Sequence, residues 1–205
     1  EVTDSFFAQA INGIESVAQE KGYHVLIYLT HESFEREKKI LKDFESGRVD
    51  GVLISVAKET IQHCHIDALM GKAVPIVFFD RVMDEVTTAK IITNDYESAR
   101  LATEHLIKKG CTKILFLSFS HTLSITCKRL AGYKKALLDN QLKYADNNIL
   151  TFSNDAKKDY LLLLKKLKSA NKGVGILASV EKLALPIYQA CEDLQLSIPQ
   201  DIQVI

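Results

Sequence analysis

Residues 94–118 constrain the fold most, because they contain a complete passage from a capped helix into a buried strand. Apolar residues recur there with the period of a helix, at Ala99, Ala102, Leu106 and Ile107. Asp95 is predicted as the N-cap, since its carboxylate can accept from the first free backbone N–H groups. Gly110 supplies the left-handed residue that commonly ends a helix. The uninterrupted apolar run of residues 114–117 then predicts a strand covered on both faces.

The same alternation of helix and strand patterns continues along the whole chain. Apolar runs predict strands at residues 25–29, 52–56, 76–79, 91–92, 114–117, 149–152, 174–177 and 202–205. Helices are predicted between them, with Asp4 or Ser5, Ser33, Asp155 and Ser179 as further N-caps. Strands that alternate with helices in this way form parallel βαβ units. We therefore predict an α/β fold of two similar lobes, residues 1–110 and 111–205, each an open parallel sheet flanked by helices.

Composition narrows the class of protein further. The chain has 205 residues, of which 47% are hydrophobic, and its formal net charge is +0. It therefore lacks the basic excess of a typical nucleic-acid-binding domain. No apolar run reaches the roughly 18 residues that a membrane-spanning helix needs, and no secretion signal opens the sequence. The four cysteines lie far apart, three of them in apolar patterns, which favours buried free thiols and a reducing, cytoplasmic compartment.

Motifs for catalysis and metal binding are missing from the sequence. There is no Gly-x-Ser-x-Gly elbow, no glycine loop that could hold a phosphate and no zinc-type His-Glu pair. His63, Cys64 and His65 do not predict a metal site, because alternate residues on a helix point apart and no second ligand pair has zinc spacing. We predict no enzyme activity, no metal and no cofactor, and we interpret His105 as a packed helical histidine.

Seven short motifs follow one another in a recognisable order. They are Phe6-Phe7 with Gly13-Ile14-Glu15, Gly22-Tyr23, Arg48-Val49-Asp50-Gly51-Val52, Val74-Pro75-Ile76 with Asp80-Arg81, Ala102-Thr103-Glu104-His105-Leu106, Arg129-Leu130-Ala131-Gly132-Tyr133 and Ile198-Pro199 with Asp201-Ile202. This ordered set resembles the effector-binding domain of LacI-type transcription regulators, which share the type I periplasmic-binding-protein fold. The fifth and sixth motifs resemble the regulators more than their secreted sugar-binding relatives.

The resemblance implies partners that the sequence alone does not contain. It implies a homodimer, a small-molecule effector (a sugar or related metabolite) in the interlobe cleft, and no membrane association. It also implies a DNA-binding helix-turn-helix headpiece upstream of residue 1 and further elements beyond Ile205, so we expect that the natural protein continues. Reorientation of the lobes would then control the headpiece. The alternative is a secreted periplasmic solute-binding protein of the same fold.

The resemblance also implies which residues contact the effector. Arg129 corresponds to the arginine that reaches into the cleft, where a guanidinium fork suits vicinal hydroxyls or a carboxylate. The alternative is a solvated arginine on a helix face. Asp80 ends a buried strand run and can accept from sugar-type hydroxyls, with Arg81 beside it, or the two form a salt bridge in a loop. Ser124, at the start of the helix that carries Arg129, belongs to the same predicted set.

Four further candidates lie at the starts of two predicted helices. Ser5 and Phe7 lie in the family's entry helix, where a phenylalanine can stack on a ligand ring or pack in the core. Asn94 and Asp95 stand where the family often has Asp-Asn. For Asp95 the helix cap is the preferred explanation, whereas Asn94 stays in the predicted ligand set.

The largest departures from the family pattern lie near the end of the chain. Val180 and Glu181 occupy positions where the family commonly has Asn-Asp, and valine cannot make the hydrogen bond of that asparagine. Pro186 replaces a common glycine, so the helix there is predicted either to kink or to restart with Pro186 in its first turn. Leu185 matches a dimer-interface position. These changes imply a bulkier or more apolar effector, or a degenerate pocket whose role a protein co-regulator has taken.

Overall fold

The computed structural model describes residues 5–153, 155–168 and 173–205. Two compact units divide the chain, Glu1–Val77 and Phe78–Ile205. Their strands form a three-stranded sheet of order β1-β2-β3 and a four-stranded sheet of order β5-β4-β6-β7. Helices connect the strands throughout, so the predicted α/β class is confirmed.

Three helices and two strands form the described part of the first unit. They are α1 (Ser5–Glu20), α2 (Phe34–Phe44), β1 (Val52–Ile54), α3 (Cys64–Met70) and β2 (Ile76–Phe79), whose end crosses into the second unit. The bounds of β2 agree with the prediction, with Pro75 directly before it. The predicted strand at residues 25–29 is wrong: these residues are not in a strand, and Leu26 is 64% exposed. An apolar run favours burial, but it cannot supply the neighbouring strand that a sheet requires.

The second unit repeats strand and helix more regularly. It contains β3 (Ala89–Ile91), α4 (Asp95–Lys108), β4 (Lys113–Ser118), α5 (Ser124–Asp139), β5 (Ile149–Thr151), α6 (Ala156–Lys168), β6 (Val174–Ala178), α7 (Ala184–Asp193) and β7 (Ile202–Val204). Every strand pair in its four-stranded sheet is parallel. The carboxyl ends of β4, β5 and β6 therefore meet at one edge of the sheet, the edge at which open α/β sheets bind ligands.

Helix α4 packs on the second sheet. Its Ala99 and Leu106 share a buried cluster with Phe116 of β4 and Tyr133 of α5. The Tyr133 hydroxyl donates a 2.8 Å hydrogen bond to the carbonyl of Ile114, and burial raises the pKa of that hydroxyl above its usual range. The predicted lobe boundary after residue 110 stays a prediction. The packing of α4 places this helix in one buried cluster with β4 and α5, which follow it in the chain.

Gly132 lets α4 and α5 approach each other closely. A Cβ atom built at Gly132 would lie 2.1 Å from the carbonyl oxygen of Tyr96 and 3.0 Å from the backbone nitrogen of Arg100. Both atoms belong to the backbone of α4, so neither can rotate away. No side chain larger than a hydrogen atom fits at this position of α5 without moving α4.

The helix caps differ in part from those predicted. Asn94, not Asp95, is the N-cap of α4, and its side chain accepts from the Glu97 backbone N–H at 3.4 Å. Asp95 is instead buried at the start of the helix. Asp155 accepts from the Lys158 N–H at 3.1 Å, as predicted for the cap of α6. Asp4, the alternative cap for α1, lies outside the described residues.

Sequence patterns also predicted the burial of two side chains wrongly. His105, predicted to be packed, is exposed in the last turn of α4. Leu138, which the helical period of the apolar residues 130, 133, 137 and 138 predicts on the inner face of α5, is 71% exposed. Residues at the edge of an amphipathic stripe are the ones whose burial a helical period alone does not decide.

Of the two alternatives for Pro186, the structure shows the restart: a 3₁₀ turn (Glu181–Leu183) precedes α7, whose first turn contains Pro186.

A buried polar centre joins the two helices α2 and α3 of the first unit. The Glu37 carboxylate, 1% exposed, accepts from the Ala57 N–H at 2.6 Å and from the Thr60 hydroxyl at 2.8 Å. Its Oε1 atom also lies 2.8 Å from Nε2 of His65. His65 therefore already has a carboxylate partner in the core. His63 pairs with Asp67 at 2.6 Å. Within the described ranges, no three His, Cys, Asp or Glu side chains are grouped to hold a metal ion.

All four cysteines are free thiols, but only Cys111 and Cys191 are buried, whereas Cys64 and Cys127 are exposed. The prediction of three core cysteines is therefore wrong for one of them. Burial raises the pKa of the Cys111 and Cys191 thiols, so these two carry less of the reactive thiolate.

We expect Ellman's reagent to modify two thiols rapidly in the native protein and two more only after unfolding. The Cys64→Ser/Cys127→Ser double variant should lose the rapid phase. Rapid reaction of that double variant in native buffer would contradict the burial of Cys111 and Cys191.

Candidate functional site

The carboxyl ends of the strands in the second sheet carry polar side chains. Ser118 ends β4, Thr151 ends β5, and Ser179 follows β6. The Ser118 Oγ lies 3.2 Å from Oγ1 of Thr151, which in turn lies 3.1 Å from Nδ1 of His121. This chain of hydroxyls and imidazole was not predicted, because Thr151 lies 33 and 30 residues from Ser118 and His121 in the sequence, and the parallel pairing of β4 with β5 brings it next to them.

The loop before α5 is fixed by side-chain hydrogen bonds. The Ser120 Oγ accepts from the backbone N–H groups of Thr122 and Leu123, at 3.1 and 3.3 Å. Ser124, the first residue of α5, accepts from the Val82 N–H through its Oγ at 3.3 Å. The predicted ligand residue Ser124 therefore already holds the loop that follows β2.

Arg129 is the most closely held of the predicted ligand residues. Its Nε atom donates to Oδ1 of Asp95 at 2.9 Å, and its Nη2 atom lies 2.8 Å from the same oxygen in an ion pair. Nη1 donates to the carbonyl oxygen of Ser179. The guanidinium thus links the start of α4, the second turn of α5 and the segment after β6. It is not the solvated arginine of the alternative interpretation, because its side chain is 26% exposed and has two protein partners.

The Asp95 carboxylate has a second hydrogen-bond donor besides the Arg129 guanidinium. Its side chain is 3% exposed, and its Oδ1 also accepts from the Thr93 hydroxyl at 3.1 Å. A carboxylate this deeply buried needs such partners, because desolvation of an unpaired charge is costly. Sequence reasoning assigned Asp95 to the helix cap. The signal that could have identified the pair is the coincidence of an acidic helix start with an arginine in the next helix.

Asp80 and Arg81 form another charged pair of the second unit. Asp80 follows β2 with a φ of 60°, in the left-handed region, and its backbone N–H donates to the carbonyl of Ile91 at 3.0 Å. Nε of Arg81 lies 3.9 Å from Oδ2 of Asp80. Lys128 and Asp84 are separated by 3.7 Å, and this pair links the same loop to α5.

The remaining predicted residues lie in several places. Asn94 is exposed and used as the cap of α4, while Val180 and Glu181 are exposed directly after the Ser179 carbonyl that Arg129 contacts. Leu185 is 76% exposed in the first turn of α7. In the first unit, Ser5 begins α1 and Phe7 is half-buried, with its ring edge-on to Phe6 at a centroid distance of 5.4 Å.

Comparison with known proteins identifies the family. A family model described as periplasmic binding proteins and the sugar-binding domain of the LacI family matches residues 1–205. The chain belongs to this family. The ordered motifs of the sequence predicted a resemblance to LacI-type regulators, and this prediction is confirmed.

Several named relatives of this LacI-family domain are transcriptional repressors. The HTH-type transcriptional repressor PurR of Vibrio atlanticus is 26% identical over 99% of this chain and 60% of its own length. A solved protein assigned as a ribose operon repressor from Burkholderia thailandensis is 27% identical, with a TM-score of 0.87, over 100% of this chain and 75% of its own. The chain thus spans about 60% of the length of the curated relatives that it matches.

One solved relative contains a sugar. The periplasmic binding protein/LacI transcriptional regulator from Alkaliphilus metalliredigens, in complex with D-xylulofuranose, is 25% identical, with a TM-score of 0.80. The match covers 100% of this chain and 73% of that protein. The periplasmic-binding-protein-like fold of the chain is therefore established together with its family.

No helix within the described part of the chain is long and apolar enough to cross a lipid bilayer.

Proposed function

We propose that this chain is the effector-binding and dimerisation region of a LacI-type transcriptional repressor that acts in the cytoplasm. A small hydroxylated metabolite, a sugar or a related compound, would bind in the interlobe cleft, at the carboxyl ends of the strands. The bound effector would favour one lobe orientation and thereby control a helix-turn-helix headpiece on DNA. Such control requires that the effector bind the two orientations with different affinity.

The placement of Arg129 is the observation that carries this proposal. Two of its five N–H groups donate hydrogen bonds in the described structure, from Nε to Asp95 and from Nη1 to Ser179, and Nη2 is ion-paired with Asp95. The remaining N–H groups of Nη1 and Nη2 can donate to the oxygen atoms of a ligand. Because both protein partners hold the guanidinium before a ligand arrives, little conformational entropy is lost on binding.

Val180 supports a ligand with an apolar part. Its side chain is 36% exposed and follows the Ser179 carbonyl contacted by Arg129. An apolar ligand group placed on valine gains free energy from burial, whereas a hydroxyl there would lose its hydrogen bond to water. Leu185 and Tyr188, 76% and 54% exposed on α7, support the proposed dimer surface, because large apolar side chains on one helix face commonly mark an interface.

A thermal-shift screen of sugars, sugar phosphates, nucleosides and acidic metabolites would identify the effector. A ligand that binds only the native state must raise the melting temperature. The gene that encodes this chain is expected to encode a helix-turn-helix upstream of residue 1. A full-length gene without one would contradict the repressor assignment.

We expect Arg129→Ala to weaken binding of the identified effector by about 1.5–3 kcal/mol, the range for a lost hydrogen bond to a charged group. Calorimetry on the folded variant is the appropriate measurement, because the unpaired Asp95 will also lower the melting temperature. Lys135→Ala is the control on the same helix, since Lys135 is exposed and pairs only with Asp139 in the described structure. Unchanged affinity in Arg129→Ala would remove Arg129 from the site.

A further inference from the structure

We infer that Asp95 determines the charge specificity of the Arg129 site: it neutralises the guanidinium, so that the site selects uncharged ligands and rejects phosphates and carboxylates. This inference rests on the proposed function and names the class of ligand that the site takes. Asp95 acts through Arg129, as a positioning and specificity-determining residue.

The geometry of the pair supports this role. Nε and Nη2 of Arg129 form one edge of the guanidinium, and Oδ1 of Asp95 occupies it: Nε donates to this oxygen at 2.9 Å, and Nη2 lies 2.8 Å from it. An incoming phosphate or carboxylate therefore cannot use that edge. It would meet only the remaining N–H groups of Nη1 and Nη2, with the negative charge of Asp95 on the same guanidinium.

Two further cations of the second unit lie close to carboxylates. Arg81 lies beside Asp80, and Lys128 lies beside Asp84. Asp80 and Asp84 thus offset the charges of Arg81 and Lys128, as Asp95 offsets that of Arg129, and an anion bound at Arg129 would add to the charge of Asp95. A hydroxyl ligand carries no such penalty, because it accepts hydrogen bonds without a net charge.

Burial makes the neutralisation effective. The side chains of Asp95 and Arg129 are 3% and 26% exposed, so water screens their mutual attraction much less than at an open surface. For the same reason, the repulsion between Asp95 and a ligand anion persists at physiological salt. An arginine without such a partner would instead attract any small anion in the cell.

Replacement of Asp95 by asparagine tests the inference without knowledge of the effector. Asp95→Asn keeps an oxygen that can accept from Arg129 but removes the charge. With sulfate as the probe, we expect a saturable thermal shift for Asp95→Asn that corresponds to at least about tenfold tighter binding than in the parent protein, or about 1.4 kcal/mol. The shift should disappear in Asp95→Asn/Arg129→Met. Equal sulfate binding by the parent and Asp95→Asn would overturn the inference.

A matched pair of ligands provides the second test. Glucose 6-phosphate should gain affinity relative to glucose in Asp95→Asn, whereas a shared loss of both sugars would point to a merely structural role for Asp95. If no neutral compound binds the parent protein, the proposed function fails, but the sulfate result still decides the role of Asp95.

A measurement on the parent protein covers the case in which Asp95→Asn does not fold. In ¹⁵N-arginine spectra, the Nε–H signal of Arg129 should exchange slowly with water and should not shift as sulfate is added. A saturable shift of that signal would show that sulfate reaches the guanidinium despite Asp95, and would overturn the inference.

Discussion

Gly132→Ala is expected to destabilise the second unit by about 3 kcal/mol, at the upper end of the range for overpacked cores. The new Cβ would lie 2.1 Å from the Tyr96 carbonyl oxygen, well inside van der Waals contact. Because that oxygen belongs to the backbone of α4, relief requires that the whole helix move away from α5. The loss would appear despite the gain of roughly 1 kcal/mol that alanine brings over glycine inside a helix.

Gly13→Ala is the matched control for this prediction. Gly13 also lies inside a helix, α1, but a Cβ there would have no atom within 4 Å. Alanine should therefore stabilise the first unit slightly, by about 0.5–1 kcal/mol. Urea unfolding with hydrogen exchange of the α4 and α5 amides would localise each effect. Equal stability of Gly132→Ala and the parent protein would show that the two helices separate without cost.

The same substitution should impair the candidate site. Gly132 lies one turn after Arg129 on α5, and Tyr96 directly follows Asp95 on α4. A displacement of α4 therefore moves Asp95 relative to the guanidinium that it holds. In any protein that still folds, Gly132→Ala should weaken effector binding, whereas Gly13→Ala should leave it unchanged.

Glu37→Ala is expected to cost the first unit about 3–5 kcal/mol, since each buried group left without its partner costs about 1–3 kcal/mol. Three groups would lose their acceptor: the Ala57 N–H, the Thr60 hydroxyl and the His65 imidazole. The Nδ1 atom of His65 is buried without a hydrogen-bond partner among the described residues, so loss of the Glu37 carboxylate would leave both ring nitrogens without one.

Two further variants make the test of Glu37 specific. Glu35→Ala, in the same turn of α2, removes an exposed carboxylate and should change the free energy of unfolding by less than about 0.5 kcal/mol. Glu37→Gln keeps one acceptor oxygen but turns an amide N–H₂ toward one of the donors, so an intermediate loss is expected. Chemical unfolding of the three variants measures the series. Equal effects of Glu35→Ala and Glu37→Ala would contradict a structural role for the buried carboxylate.

The local elements of this chain could be predicted well from its sequence. The bounds of β2, the cap of α6 by Asp155 and the buried run in β4 follow from proline, capping chemistry and continuous apolarity, all of which act between near neighbours. The strand predicted at residues 25–29 is wrong because a strand depends on a partner elsewhere in the chain. Apolarity alone does not create that partner.

The candidate site depended more on tertiary structure. The family motif containing Arg129 identified a residue worth testing, and its role as a ligand contact stays a prediction. The sequence offered only an acidic helix start and an arginine in the next helix as a sign that Asp95, predicted as a cap, is buried against Arg129, because hydrogen bonds between adjacent helices depend on how those helices pack. Likewise, the sequence shows Glu37 only as one of two acidic residues at a helix start. The fold places its carboxylate among three hydrogen-bond donors.

The sequence by itself therefore determined the α/β class and the family. Helical periodicity, capping residues and ordered motifs can be recognised from the order of the residues alone, because they are local. Only the tertiary structure decided which charges are neutralised. The pairing of Asp95 with Arg129, the close approach at Gly132 and the burial of Glu37 each join residues separated by tens of positions. Their energies depend on distances of a few ångströms, which the packing of helices and strands sets.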